Sequence, residues 1–291
     1  MHRYYSIIII GLFTIGLSHN SLAQNREYMH GLEKLLMEYG IENTQAHSIL
    51  SDSRLKLDPE IVVNNLFYSK PKPKAGVEQP EIMDIDPAYI DKGKAFIDAR
   101  KEVFLELEKH YGVSAQIITA ILIVETRLGT YPQKYTVMNA YASLAACLDQ
   151  AYFANLRDTY RSKYPAFSDK ETRERAQKKA FWAANQLYQL ILLAQRLKLD
   201  PFEISGSFAG ALGPGQFIPS SFMEFGVDGD HDGIRDPFNM LDAMASIANY
   251  LQRSGWRDTR GIEQQRQAIW YYNHSDVYVN TVMMLYRELS G

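Results

Sequence analysis

The stretch Ala115-Gln-Ile-Ile-Thr-Ala-Ile-Leu-Ile-Val-Glu125-Thr-Arg-Leu-Gly129 constrains the fold more than any other part of the chain. From Ile117 to Val124 only Thr119 is polar, and then a carboxylate follows at Glu125. Alanine, leucine and glutamine favour helix, and isoleucine tolerates it where packing is available. A helix that is apolar nearly all round has no solvent face, so it belongs inside a domain. Ser114 is placed to cap its start and Gly129 to stop it. Glu125 then sits at the inner end, partly out of water. Burial disfavours the charged form of a carboxyl and raises its pKa, which keeps a glutamic acid protonated near neutral pH and lets it act as a general acid. The plainer alternative is a helix-end glutamate that pairs with Arg127 or faces solvent.

The flanking segments supply helices to surround it. Tyr28 to Tyr39, Ile41 to Leu50 and Asp58 to Tyr68 show helical spacing, the last with Pro59 in its first turn. Asp91 to Tyr111 reads as one strong amphipathic helix ended by Gly112. Helical patterns continue over Asn139 to Leu148, Ala151 to Tyr160, Lys170 to Leu199, Asp242 to Ser254 and Glu263 to Leu289. Strand alternation is absent except for a few residues near Phe202 to Ile204, so the class is mostly α. Residues 69–87 carry four prolines and three lysines and cannot be regular helix. They form either a linker or an extended strap over the body.

Residues 1–23 have the pattern of a secretory signal peptide. Arg3 precedes an apolar core from Ile7 to Leu17, and Ser21-Leu-Ala23 offers a cleavage site before Gln24. The core is too short to span a bilayer comfortably, and no cysteine follows it to carry a lipid. A periplasmic or secreted protein is expected, with residues 24–68 as an N-terminal helical portion, 69–87 as strap or linker and 88–291 as the main domain. A net charge of −3 implies no basic surface and no nucleic-acid partner. Cys147 is the single cysteine, so no internal disulfide helps, and the core must supply stability.

Three clusters could carry chemistry besides Glu125. Gly206 to Ser221 holds four glycines and two prolines, which lets backbone approach a ligand closely. Ser207 and Gln216 add a hydroxyl and an amide suited to a polar substrate such as a sugar. Asp228-Gly-Asp230-His-Asp232-Gly233-Ile-Arg-Asp236 matches the first half of an EF-hand calcium loop, with Asn239 where a bidentate glutamate would close it. A structural Ca2+ on Asp228, Asp230, Asp232 and Asp236 is expected, within a loop region of about 226–240. The alternative is an acidic turn that caps the helix near Asp242. No catalytic cofactor is expected, because zinc chemistry needs more histidine or cysteine than His231 supplies. Finally, Ala268 to Val279 sets aromatic rings beside amides and hydroxyls, as in Tyr272-Asn273, a combination that stacks on sugar faces and bonds their edges.

The order of these clusters, above all Ser207-Phe-Ala-Gly-Ala-Leu-Gly-Pro-Gly-Gln216-Phe-Ile-Pro-Ser-Ser221, closely resembles the lytic murein transglycosylases of the transglycosylase B type, over roughly residues 60 to 288. The resemblance implies a lysozyme-like α-helical catalytic domain that cleaves the MurNAc-β-1,4-GlcNAc bond of peptidoglycan without adding water and leaves 1,6-anhydromuramoyl ends. It implies Glu125 as the sole acid and base, with Ser207, Gln216, Tyr272, Asn273 and Tyr152 as substrate contacts and a calcium site at the acidic turn. Its expected partners are peptidoglycan strands and other cell-wall enzymes, and it is expected to be a monomer. Two departures stand out: Leu148 to Ala151 lacks the arginine that often precedes the aromatic pair Tyr152-Phe153, and Ser162 to Arg175 resembles an insertion. A hydrolytic muramidase on the same fold and a non-catalytic peptidoglycan-binding protein are the alternatives.

Overall fold

The computed structural model describes residues 26–67 and 81–291; the predicted signal segment and residues 68–80 of the proline-rich stretch lie outside the described residues. Regular structure is almost entirely helical, as the periodicities predict. Helices α1 (His30–Glu38), α2 (Asn43–Leu50) and α3 (Pro59–Phe67) come first. Their buried faces, including Leu32, Leu36, Ala46, Leu50 and Leu66, belong to the same continuous core as the rest of the chain.

The expected single helix over Asp91 to Tyr111 is two, α4 (Ala88–Asp98) and α5 (Lys101–Tyr111). In one continuous helix Phe96 and Phe104 would stand about 12 Å apart along the axis. The turn at Ala99–Arg100 lets their rings meet at 6.1 Å, and the Arg100 guanidinium folds back over Phe96 at 4.0 Å. Packing two aromatics on one core outweighs helix continuity here.

Helix α6 (Ala115–Thr126) lies at the centre, with Ile117, Ile118, Ala120, Ile121, Leu122 and Ile123 all fully buried. Burial of each isoleucine contributes about 2 kcal/mol. Ser114 occupies the position before the helix, but its hydroxyl donates to Asp258 at 3.0 Å and makes no cap bond. The helix also stops before Gly129. The Arg127 N–H bonds Ile123 O at 3.0 Å and the Leu128 N–H bonds Leu122 O at 2.9 Å, a Schellman-type closure. Arg127 (φ 53°) and Leu128 (φ 61°) take the left-handed conformation usually left to glycine.

Chain segments on either side wrap α6. A two-residue strand β1 (Tyr135–Thr136) leads into α7 (Val137–Ala145), a 3-10 turn (Ala146–Leu148) and α8 (Gln150–Tyr160), whose N-cap is the Asp149 carboxylate. The Ser162 to Arg175 segment contains a 3-10 turn (Pro165–Ser168) that drives Phe167 between the rings of Phe67, Phe153 and Tyr160. Arg175 donates to Leu66 O at 2.6 Å, so this segment fastens α3 to the body. The 28-residue α9 (Lys170–Leu197) follows. Strand β2 (Ser205–Gly206) pairs antiparallel with β1, just beyond the expected position; Phe202 and Ile204 are core residues leading into it.

Helices α10 (Pro219–Phe225), α11 (Met240–Arg253), α12 (Ile262–Tyr272) and α13 (Asp276–Ser290) complete the chain. The helical stretch expected over Glu263 to Leu289 is thus broken at Asn273 to Ser275, where Ser275 caps α13. Of the described part of the proline-rich stretch, residues 81–87 lie along α13 as a strap. The Met83 N–H donates to Thr281 Oγ1 at 2.8 Å, and Asn280 Nδ2 donates to Glu81 O at 3.1 Å. Among the described residues no helix is long and apolar enough to cross a membrane.

Candidate active site

Glu125 lies one residue from the end of α6, and the left-handed turn after it carries the chain away and leaves its side chain half-buried. It forms no ion pair with Arg127, whose guanidinium instead lies 6.0 Å and 5.8 Å from the ring centres of Tyr89 and Tyr131. Burial pushes the Glu125 carboxyl up to about 7, with the Tyr278 hydroxyl pulling weakly the other way. No neighbouring carboxylate contributes to this shift. The Tyr278 hydroxyl is buried without a hydrogen-bond partner within bonding geometry, and Glu125 is the charge that acts on it most strongly. Burial raises the pKa of Tyr272 as well, with Glu125 the next cause.

The break between α12 and α13 makes this arrangement. It turns the chain so that the rings of Tyr272 and Tyr278 stack nearly parallel, 6.4 Å apart, one from each helix. Phe217 and Tyr250 pack edge-on against Tyr272 at 5.5 Å and 5.0 Å. The carboxyl therefore sits beside these aromatic rings; its removal from water raises its proton affinity, and the Tyr278 hydroxyl opposes that rise.

The Gly-rich loop is a hairpin clamped against the same helix end. Leu212 and Phe217 exchange backbone bonds of 2.8 Å and 3.1 Å, leaving Gly213-Pro214-Gly215-Gln216 as the turn. Thr126, next to Glu125, donates its hydroxyl to Pro214 O at 2.8 Å. The Tyr272 hydroxyl donates to Gly215 O at 2.5 Å, and the Gly213 N–H reaches Gln133 Oε1 at 3.2 Å. Gly213 has φ 63°, and a Cβ there would lie 1.7 Å from Pro237 O, so only glycine fits beneath the segment that leaves the acidic turn. Of the residues expected to bind sugar, Gln216 (φ 51°) bonds Gly213 O through Nε2 at 2.9 Å, and Ser207 accepts the Ala211 N–H at 3.1 Å; both remain partly accessible. Asn273 is exposed at the end of α12.

Two expectations need correcting. Tyr152 is not on a cleft: it is 3 % exposed and packs in the core against Tyr28, with ring centres 5.1 Å apart. It is one of the side chains that seats the N-terminal helices, and it presents nothing to a ligand. In the acidic turn, the carboxylates that converge are Asp228, Asp230 and Asp242, with oxygens within 4.8 Å of one another. Asp232 and Asp236 are not in that group. Asp232 accepts the Ile234 N–H at 2.7 Å and Asp236 the Phe238 N–H at 2.8 Å, so each shapes the loop. Asn239 caps α11. Asp242, 1 % exposed, reaches back from the first turn of α11 to accept the N–H groups of Gly229 and Asp236 at 2.7 Å and 2.6 Å. Asp242 lies beyond Asn239, outside the loop that the aspartate spacing defines. Tyr278 and Thr126 join the site through a helix break and a hairpin contact, which residue spacing does not express.

The fold and this site define a lysozyme-like helical protein with a carboxyl of raised proton affinity at the end of its central helix. The chain belongs to the family described as transglycosylase SLT domain, which matches residues 24–268 and so includes the N-terminal helices. It is 28 % identical over 240 residues to the membrane-bound lytic murein transglycosylase B of Escherichia coli, an alignment that covers 80 % of this chain and 58 % of that protein. The structure of the E. coli lytic transglycosylase Slt35 in complex with calcium superposes with a TM-score of 0.69 at 21 % identity, covering 93 % of this chain and 94 % of that one. SltB3 from Pseudomonas aeruginosa in complex with NAG-anhNAM-pentapeptide gives 0.66 at 20 % identity, covering 94 % and 80 %.

Proposed function

We propose that this protein is a lytic transglycosylase that cleaves the MurNAc-β-1,4-GlcNAc bond of peptidoglycan and releases 1,6-anhydroMurNAc ends. The observation that carries the proposal is Glu125, a carboxyl pushed up to about 7 by burial with no second carboxylate acting on it. Most glycosidases need two carboxylates, one to protonate the leaving oxygen and one to attack or to activate water. A single carboxyl suffices if the nucleophile comes from the substrate. Protonated Glu125 gives its proton to the glycosidic oxygen as the C1–O bond breaks. The resulting carboxylate then takes the proton of the C6 hydroxyl as O6 bonds to C1, which restores Glu125 and closes the anhydro ring. Tyr272 and Tyr278 exclude water from the carboxyl, and Ser207, Gln216 and Asn273 hold sugar hydroxyls and acetamido groups. The family membership and the named relatives support this reading.

The pH dependence tests it. The free enzyme is competent while Glu125 is protonated, so kcat/KM for release of soluble muropeptides should fall about tenfold per pH unit above pH 7. Tyr278→Phe removes the hydroxyl that lowers the Glu125 pKa, so that descending limb should move to higher pH. A limb that stays near pH 4.5, the ordinary carboxyl value, would reject the assignment.

We further propose a structural Ca2+ on Asp228, Asp230 and Asp242. The donor set fits: all oxygen, converging, and with a ligand-bearing helix behind it. The ion would tie α11 to the loop whose Pro237 covers Gly213, and no step of the reaction runs through it. Binding to the folded state alone stabilises by about 3 kcal/mol at a hundredfold excess over Kd, so chelation should lower the melting temperature by roughly 5 °C or more. Identical melts with and without chelator would remove the ion from the account. We infer from the signal pattern and the proposed substrate that the protein acts on glycan strands in the periplasm or outside the cell, as a monomer.

A further inference from the structure

The β1–β2 ribbon holds two large aromatic side chains out in solvent. Tyr135 is 45 % exposed, and Phe208, two residues past β2, is 39 % exposed. Their rings meet edge to face with centres 6.4 Å apart. Leaving two adjacent rings uncovered forgoes the stabilisation each would bring if buried.

Their position gives the pair a purpose. The register sets Tyr135 opposite Gly206, the residue before Ser207. Gly206 presents no side chain, and a Cβ there would collide with Ala211 O at 2.4 Å, so the ribbon lies close on the Gly-rich loop. That loop runs on to the Pro214–Gly215 turn clamped by Thr126 beside Glu125. Phe208 is thus carried on, and Tyr135 paired to, the same Gly-rich segment whose Ser207 hydroxyl accepts the Ala211 N–H and whose turn is fastened beside Glu125. Around them Ser205 and Lys134 are exposed and Ser207 is partly so. A flat apolar face rimmed by hydroxyl and amine groups suits a pyranose, whose C–H face lies on the ring while its hydroxyls bond the rim.

We propose that Tyr135 and Phe208 form a stacking platform for a saccharide unit of the glycan strand, beyond the sugars that flank the cleaved bond. This rests on the transglycosylase reading above and adds a determinant of substrate length to it. The platform favours long strands over short fragments and leaves the chemical step to Glu125.

The test compares the full-length wild type with Tyr135→Ala, Phe208→Ala and the double variant on two substrates: long uncrosslinked peptidoglycan strands and a GlcNAc-MurNAc tetrasaccharide. For the double variant kcat/KM on long strands should fall about tenfold, through KM, while cleavage of the tetrasaccharide stays within about twofold of wild type. Tyr135→Phe should keep nearly full activity on both, and the exposed positions should leave the melting temperature unchanged. Equal losses on the two substrates, or no loss on either, would overturn the platform. So would a wild-type dimer that the double variant dissolves in sedimentation while cleavage is unaffected, since the patch would then serve self-association. If the wild type cleaves neither substrate, the transglycosylase reading falls, and co-sedimentation with insoluble peptidoglycan still decides the platform: weaker pelleting of the double variant supports it and equal pelleting rejects it.

Discussion

Glu125→Gln should reduce release of muropeptides from peptidoglycan by about a thousandfold or more, the scale expected when a general acid and base is lost, and should make the protein more stable at neutral pH. The two effects have one cause. Folding takes this carboxyl from an ordinary value of 4.5 up to about 7. The folded state therefore holds its proton more tightly than the unfolded chain does. Any stability tied to that proton is fully present below pH 4.5 and is lost as pH rises through 7. Above that range the buried charge costs the wild type about 3 kcal/mol, an order-of-magnitude value. Glutamine keeps the shape and carries no charge, so wild type and variant should melt together near pH 4 and separate as pH rises, the variant being higher. A variant as active as the wild type would reject Glu125 as the acid. A variant that unfolds at every pH would mean that the carboxyl holds the fold together, contrary to the burial argument.

Gly213→Ala should cost about 3 to 5 kcal/mol of stability and most of the activity, though the change adds only one methyl group and touches no proposed sugar contact. A non-glycine residue at φ 63° is strained on its own. The larger part comes from Pro237 O, 1.7 Å from where the methyl carbon must go, because that oxygen is backbone and cannot swing away. Either the hairpin turn or the exit of the acidic loop has to shift. If the turn shifts, Pro214 O and Gly215 O leave Thr126 and Tyr272, and the aromatic wall beside Glu125 loosens. Thermal melting and kcat should fall together, and added calcium should restore little of either. An unchanged melt would show that the loop is slack and that the coupling between ion loop and active site is absent.

The sequence carried the centre of the fold because α6 states its own environment: a helix with no polar face can only be internal, and a carboxylate at its end can only be costly or useful. It carried the Gly-rich loop for a similar reason, since glycines and prolines at that density have few uses besides close backbone approach. Contacts that depend on where the chain turns were out of reach. The split between α4 and α5 arises from Phe96 and Phe104 seeking one another, which no periodicity within either segment expresses. Tyr278 joins the site because the chain breaks at Asn273 to Ser275 and returns, and Asp242 joins the acidic cluster from the far side of a helix cap. Tyr152 went the other way. The family resemblance implies a ligand contact at Tyr152, while the N-terminal segment claims its ring for the core.

The mass of the muropeptides released from purified peptidoglycan tests the central claim most directly. With Glu125 as the only carboxyl in play and the C6 hydroxyl as nucleophile, the wild type should release products lighter by one water than hydrolysis would give, and Glu125→Gln should release none. Hydrated products from the wild type, or anhydro products undiminished in the variant, would contradict it.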